Sequence, residues 1–394
     1  MNLPPNLRDS NLSNQNPVPA ATKRMNDSLG PKTIVEREAA LLAPYAFPSG
    51  ATQGRRHPEP SHPYRGPFQR DRDRILHSAG FRRLSGKMQV FTGDMGDYHR
   101  TRLTHTVEVA SIARTLGRAL GLNEDLIEAL ALLHDIGHPP FGHAGEDAIH
   151  DYLSDDGGFS HNQYALTLVE ELEERYASFP GLNLSMEVLA SQNTRVDKSE
   201  IGRPPMLEAQ LVDASDSVTY NSHDVDDAVK LGLIEFDALM ELPLVQKAAG
   251  RVEEGLSPKR RRAAVVYQLI RMQVDSVLES TMNQIKRAGW TDWQQPLDEN
   301  FRIDLDPAMA KEKADLQSFL YDKVYRHPQI VEVRKRAQDQ IREMLDFFKA
   351  NPEKMPDRFQ LRAESVGNAR SAADYLAGMT DRYCQQRYAE LIGE

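Results

Sequence analysis

Apolar residues recur along most of this chain at intervals of three and four, the spacing of one helix face, and strand-like alternation is scarce. The fold class expected is all-α. In the clearest element, Arg102–Leu120, Leu103, Val107, Ala110, Ala113 and Leu116 make one stripe, which Val109 and Ile112 widen. Asn123 is then a good N-cap, Glu124 and Asp125 suit the positive end of a helix dipole, and Leu126, Ile127, Leu130 and Leu133 keep helical spacing. Pro139 and Pro140 stop that helix, with Gly137 as a C-cap. After a turn at Gly157-Gly158, a helix opens at His161 and runs through Leu172. The stretch 207–231 is buried by Leu211, Val212, Ala214, Val218 and Val225. Further helices are predicted over 263–282, 311–325, 330–348 and 371–392, with Arg260-Arg261-Arg262 capping a loop before the first and the Pro-bearing 351–356 ending the third.

The remaining stretches set the domain plan. Residues 1–34 are rich in Asn, Pro and Ser and read as a disordered tail. A short helix is expected over 36–42. The stretch 44–67, crowded with Pro, Gly, His and Arg around Gly54-Arg55-Arg56, reads as a loop that either links or wraps a partner subunit. Residues 195–205 are polar loop. The plan is a helical core with an N-terminal arm over 35–240, and a C-terminal helical region over 241–394 packed on it.

Composition narrows the function. The formal net charge of -10 argues against a general DNA-coating role. The single Cys384 excludes an intramolecular disulfide framework or a cysteine zinc knuckle, and fits a reducing compartment. With no apolar run near 18 residues and no signal-peptide core, a soluble cytoplasmic protein is expected. The stretch 65–102 is locally basic, through Arg70, Arg72, Arg74, Arg82, Arg83, Lys87, Arg100 and Arg102. It reads either as a helix face laced with Asp71 and Asp73 or as a phosphate-binding rim.

The chemistry concentrates in Ala131-Leu-Leu-His-Asp-Ile-Gly-His-Pro-Pro-Phe-Gly-His-Ala-Gly-Glu146. Here His134 and Asp135 close a buried helix at the edge of a cavity. An imidazole and an ionised carboxylate in such apolar company are costly unless something pairs with them, and a divalent metal accepts both. His105, alone, would be a core histidine, but beside His134-Asp135 it becomes a ligand candidate. Asp216, Tyr220 and Asp224 recur at intervals of four on one face of an otherwise apolar helix, which suits a ligand-lined cavity. His161, near a helix start, is either a surface cap residue or faces the same cavity.

These residues carry a resemblance. His105, His134-Asp135 and Asp216 match the H…HD…D signature of the HD-domain metallohydrolases. Phe81-Arg-Arg-Leu84, Lys87-Met-Gln-Val-Phe91, Arg100-Thr-Arg-Leu-Thr-His105, His134 to Glu146, His161-Asn162, Tyr220-Asn-Ser-His-Asp224, Phe319 to His327 and Ala373 to Asp381 resemble the dGTP triphosphohydrolase (dGTPase) family from about residue 35 onward. Met88, Gly80 and Ser160 depart from that family, where Thr, Ala and an acid are usual.

The resemblance implies an all-helical fold, a homo-oligomer (tetramer or hexamer), and hydrolysis of a deoxynucleoside triphosphate, dGTP foremost, to deoxynucleoside and triphosphate. It implies one divalent metal per subunit on His105, His134, Asp135 and Asp216. Mg or Mn is favoured, and Fe, Co, Ni or Zn suit the same donors. It places Arg102 on phosphate, Gln89 and Val90 at the sugar, Tyr220 and Asp224 at the 3′-hydroxyl, and His138 among the substrate-binding residues. His143 with Glu146 falls on the acid/base pair and His161 on a helper near phosphate. Lys87 is expected to help Arg102 offset the triphosphate charge. A dNTP activator, an HD phosphohydrolase of another nucleotide, and a nucleotide- or single-stranded-DNA-binding regulator using the Arg-rich 251–262 and 326–342 stretches are the other readings.

Overall fold

The computed structural model describes residues 33–89, 100–196 and 204–393. Residues 1–32 of the tail expected over 1–34, residues 197–203 of the loop expected over 195–205, and Val90 lie outside the described residues, while Thr33 and Ile34, expected in the tail, cap and open a helix. Among the described residues there are isolated β-bridges and no strands.

The helices are α1 (Ile34–Leu41), α2 (Pro67–Leu76), α3 (Ala79–Arg83), α4 (Arg102–Leu120), α5 (Glu124–Leu133), α6 (His143–Tyr152), α7 (His161–Thr167), α8 (Met186–Val196) and α9 (Leu207–Lys230). The C-terminal region adds α10 (Phe236–Leu239), α11 (Pro243–Ala249), α12 (Pro258–Ala288), α13 (Gln295–Asp298), α14 (Pro307–Leu320), α15 (Pro328–Ala350), α16 (Asp357–Val366), α17 (Asn368–Ala377) and α18 (Asp381–Leu391).

Helices α4, α5 and α9 form the centre, with α2 and α8 against α5. Asn123 caps α5, its Oδ1 accepting from Leu126 N at 3.3 Å, and the whole apolar run from Leu126 to Leu133 is buried. A second core joins α6 and α7 to α15, α16, α17 and α18, and a third joins the end of α9 to α11, α12 and α14. The C-terminal region thus contributes side chains to all three cores described.

Several expectations are corrected. Val107 is 52% exposed, because α4 buries the face through His105, Val109, Ala110, Ala113 and Leu116 instead. Arg260, Arg261 and Arg262 lie in the first turn of α12, where Arg262 Nε sits 3.3 Å from Asp226. The predicted 371–392 helix is two helices, broken at Gly378-Met379-Thr380, with Thr380 as the N-cap of α18. The predicted 311–325 helix is α-helical to Leu320 and widens into a π-helical turn, Tyr321–Tyr325. A second π-helical turn, Leu168–Leu172, follows α7.

The basic stretch before α4 resolves mainly into structural ion pairs. Arg72 meets Asp73 and Glu128, and Arg70 and Arg74 both meet Glu59, so the arginines of α2 lace helices and loop together. The Pro-rich loop lies on its own chain, where Arg55 binds Asp71 and the carbonyls of Pro67 and Asn183. Gly80 stands where an alanine Cβ would come within 2.6 Å of Leu168, which accounts for that departure from the family pattern.

Candidate active site

Three helices deliver two buried imidazoles and one partly exposed carboxylate to one point. His105 comes from the first turns of α4, His134 from the C-cap of α5 and Asp216 from the third turn of α9. His105 Nε2 lies 3.0 Å from Asp216 Oδ1, and His134 Nε2 lies 3.8 Å from the same oxygen. One ligand atom from each of the three lies within 4.8 Å of the others.

The tautomer of His134 is fixed by its other nitrogen. Nδ1 donates to the Ala131 carbonyl at 2.6 Å, so the Nε2 lone pair points inward, buried and without a hydrogen-bond partner. Burial keeps this imidazole below its ordinary value, in the neutral form a metal needs. Burial would raise the Asp216 carboxyl, but its electrostatic interaction with the neighbouring His134 imidazole and the hydrogen bond from His105 hold it well below the usual carboxylate range. Two imidazoles and a carboxylate, with an orphaned buried nitrogen among them, fit a divalent cation.

Asp135 connects this centre to the next one. Its Oδ1 lies 3.7 Å from His134 Nε2 and 3.0 Å from His138 Nδ1, while Oδ2 accepts from Arg102 Nη1 at 3.0 Å. It therefore borders the metal-competent trio and orients Arg102 and His138 at the same time.

The second centre follows the proline turn. His143 opens α6, is half exposed, and its Nδ1 lies 3.2 Å from Glu146 Oε2. The other carboxylate oxygen, Oε1, lies 2.7 Å from His161 Nδ1 and accepts from the His161 backbone N–H at 2.9 Å. One glutamate thus holds two imidazoles. Burial would raise its carboxyl, but these hydrogen bonds keep it well below the usual range. The His138 and His161 rings stack, with centroids 3.7 Å apart. Gly137 makes this approach feasible, since a Cβ there would sit 2.0 Å from the His161 carbonyl oxygen.

Around these centres lie the residues expected to meet the substrate. A β-bridge pairs Met88 with Thr101, bringing Gln89 beside Arg102, whose Nη2 donates to the Gln89 carbonyl at 3.3 Å. Gln89 Oε1 is buried with no partner. Lys87 is placed differently from the expectation. Its Nζ is buried and donates to the carbonyls of His138 at 2.5 Å and Ala377 at 3.0 Å, so it anchors the turn rather than facing a substrate. Burial pulls its ammonium down to about 7, against the attraction of Asp381.

Tyr220 and Asp224 follow Asp216 at one-turn intervals along α9. Asp224 is fully buried, and burial raises its carboxyl to about 7.

Two residues here lie in stretches that carry the resemblance, 319–327 and 373–381, but have no role assigned from the sequence. Tyr325 hydrogen-bonds Asp224. Asp381 accepts from Met88 N and from Phe141 N, both at 2.9 Å, tying the Gln89 segment to the proline turn. The Thr380-Asp381 pair after Gly378 was a readable cap signal for the second; nothing local marks the first.

This is the arrangement of a helical metallohydrolase, and comparison with known proteins agrees. Residues 102–221 match the HD domain, and 303–390 match the phosphohydrolase-associated domain. The chain is 38% identical to a deoxyguanosinetriphosphate triphosphohydrolase-like protein of Geobacter metallireducens, over 90% of this chain and 96% of the relative. Proteins of the same description from Paracoccus denitrificans and Brucella ovis are 40% and 41% identical, over 90% and 89% of this chain and 100% and 95% of theirs. The chain belongs to the deoxyguanosinetriphosphate triphosphohydrolase-like family of HD-domain phosphohydrolases. It is a hydrolase of the nucleotide phosphohydrolase class.

Proposed function

We propose that the protein cleaves deoxynucleoside triphosphates, dGTP foremost, to deoxynucleoside and inorganic triphosphate. The observation that carries this reading is the Asp135–His138 contact at 3.0 Å, which joins a metal-competent trio to a histidine–glutamate acid/base group in one site. The relatives are deoxyguanosinetriphosphate triphosphohydrolase-like proteins, which points to the guanine nucleotide.

His105, His134 and Asp216 would hold a divalent ion, Mg or Mn foremost, with Asp135 completing the set. Such an ion supplies a polarised phosphoryl oxygen and a water of lowered pKa. The chain's own residues do the rest. Water attacks the α-phosphorus, the bond from phosphorus to the sugar 5′-oxygen breaks, and the leaving alkoxide takes a proton from His143. Glu146 holds that imidazolium and His161 on either side of one carboxylate. General-acid help of this kind contributes roughly 10²–10⁴ in rate. Arg102, held by Asp135, faces phosphate charge with a planar fork of donors. Gln89, Tyr220 and Asp224 offer polar groups to the sugar.

The test is chromatography of reactions containing each dNTP and GTP, singly and in pairs, with Mg or Mn. Free deoxynucleoside together with inorganic triphosphate is expected. Release of orthophosphate or pyrophosphate instead would transfer the protein to the alternative reading, a phosphohydrolase of another nucleotide bond. Turnover only in mixtures would establish the dNTP activator that this reading carries. Sedimentation would count the subunits of the homo-oligomer. Among the described residues no helix is long and apolar enough to cross a membrane, and the proposed setting is the cytoplasm.

A further inference from the structure

A second group of metal-competent side chains lies beside the trio. His138, His143 and Glu146 each bring one ligand atom within 4.8 Å of the others. Two imidazoles and a carboxylate are a zinc donor set. His138 Nδ1 lies 3.0 Å from Asp135 Oδ1, which leaves Nε2, buried and without a hydrogen-bond partner. Such a nitrogen is costly unless something else takes its lone pair. His143 Nδ1 and Glu146 Oε2 stand 3.2 Å apart, long for a hydrogen bond to a charged group. That separation is close to what two donors adopt when each sits ~2.0–2.2 Å from one tetrahedral ion. Glu146 is held in place by its other oxygen, which accepts from the His161 backbone N–H at 2.9 Å and lies 2.7 Å from His161 Nδ1. The half-exposed His143 ring can swing toward His138 without opening a core.

We propose that His138, His143 and Glu146 form a second, inhibitory metal site that takes zinc. Magnesium and manganese suit oxygen-rich donor sets, so this site discriminates against them. The trio holds its ion more tightly. Asp135 borders the trio as a further carboxylate, whereas His138 lies within electrostatic reach of the Arg102 guanidinium, which repels a cation. The second ion therefore enters after the first and leaves on gel filtration. Its effect follows from the lone pair it occupies. A zinc-bound imidazole has none left to take a second proton, so His143 cannot become the imidazolium that protonates the leaving 5′-oxygen. The inhibition rests on the hydrolase reading above; the zinc site stands without it. The same three side chains that deliver the proton thus double as a trap for a competing ion.

The experiment loads the full-length protein with one equivalent of zinc for the trio, then titrates further zinc by calorimetry, beside His143→Ala and Glu146→Gln. Circular dichroism shows that each variant is folded. The wild type should take up one more ion per subunit. Even an outer partner of a metal ligand is worth about 10–100-fold in affinity, so each variant should bind the second ion at least about tenfold more weakly. No second ion in the wild type, or undiminished uptake by both variants, would overturn the site. In dNTP turnover with magnesium present, the second equivalent should lower kcat by at least about 10²-fold in the wild type, the smallest share expected of a general acid. His143→Ala, which starts slower, should change by no more than about twofold. An equal proportional fall in both would show that zinc acts elsewhere and overturn the inhibitory role.

The two readouts separate this inference from the hydrolase reading. A second zinc bound as described, with no dNTP turned over at any zinc level, would retain the site and overturn the hydrolase reading. Turnover that persists unchanged with the second site full would retain the hydrolase reading and overturn the inhibition. Neither uptake of a second ion nor turnover would overturn both.

Discussion

The Lys87 ammonium donates to the carbonyl of Ala377, 290 residues further along the chain, at 3.0 Å. Its other acceptor is the carbonyl of His138, so one buried amine ties the bridge segment, the histidine turn and the end of α17 together. Substituting Lys87→Met keeps the stem and removes the donor. It should leave two buried carbonyls short of a partner and lower stability by about 2–4 kcal/mol. The pH dependence checks the cause. With the folded pKa pulled to about 7 from an ordinary 10.5, the unfolded chain binds more protons between those values. The wild type should gain stability relative to the Met variant as pH rises from about 7 to 10.5. The gap should be flat below that window, as read by denaturant melts across pH.

The two centres predict a division of labour. His134→Ala removes a metal-competent nitrogen with no other partner, so metal content and activity should fall together. His143→Ala should keep the metal and lose roughly 10²–10⁴ in kcat. Elemental analysis beside steady-state kinetics distinguishes them, and equal metal loss in both would refute the assignment.

Glu146→Gln removes the charge that both His143 and His161 share. About 10²-fold loss of kcat is expected with the ion on His105, His134 and Asp216 retained, because Glu146 belongs to the separate group His138, His143 and Glu146. Its carboxyl is held well below the ordinary 4.5, so its contribution to stability is complete above that pH and is lost as pH falls below it. The difference in melting temperature between wild type and Glu146→Gln should therefore be constant above about pH 5 and shrink in acid.

Gly137→Ala places a methyl 2.0 Å from the His161 carbonyl oxygen and 2.6 Å from Ala165 N, both backbone atoms that cannot step aside. A loss of about 3 kcal/mol or more is expected from this overpacking. The stacking of His138 on His161 should be lost with it, and thermal melts with activity assays would report both.

What the sequence made legible follows from period and cost. The centre formed by α4, α5 and α9 could be read because their apolar stripes are regular, and the convergence of His105, His134 and Asp216 because buried imidazoles and carboxylates need a partner. Val107 misled because hydrophobic spacing alone does not say which of two adjacent faces a neighbour covers. Lys87 misled because a basic residue near an expected anion reads as a ligand, whereas its ammonium is satisfied by carbonyls from distant segments. The break between α17 and α18 had local signals in Gly378 and Thr380, which the surrounding helical period outweighed. The Tyr325–Asp224 contact spans 101 residues and has no local signature.

The clasp formed by Ala377 and Asp381 has a consequence during synthesis. A nascent chain released before these residues would already carry all the histidines and carboxylates of the HD motif, yet the Asp381 tie that joins the Gln89 segment to the proline turn would be missing. Prematurely terminated products should therefore be inert as hydrolases. An affinity tag intended to spare the enzyme belongs at its beginning rather than its end.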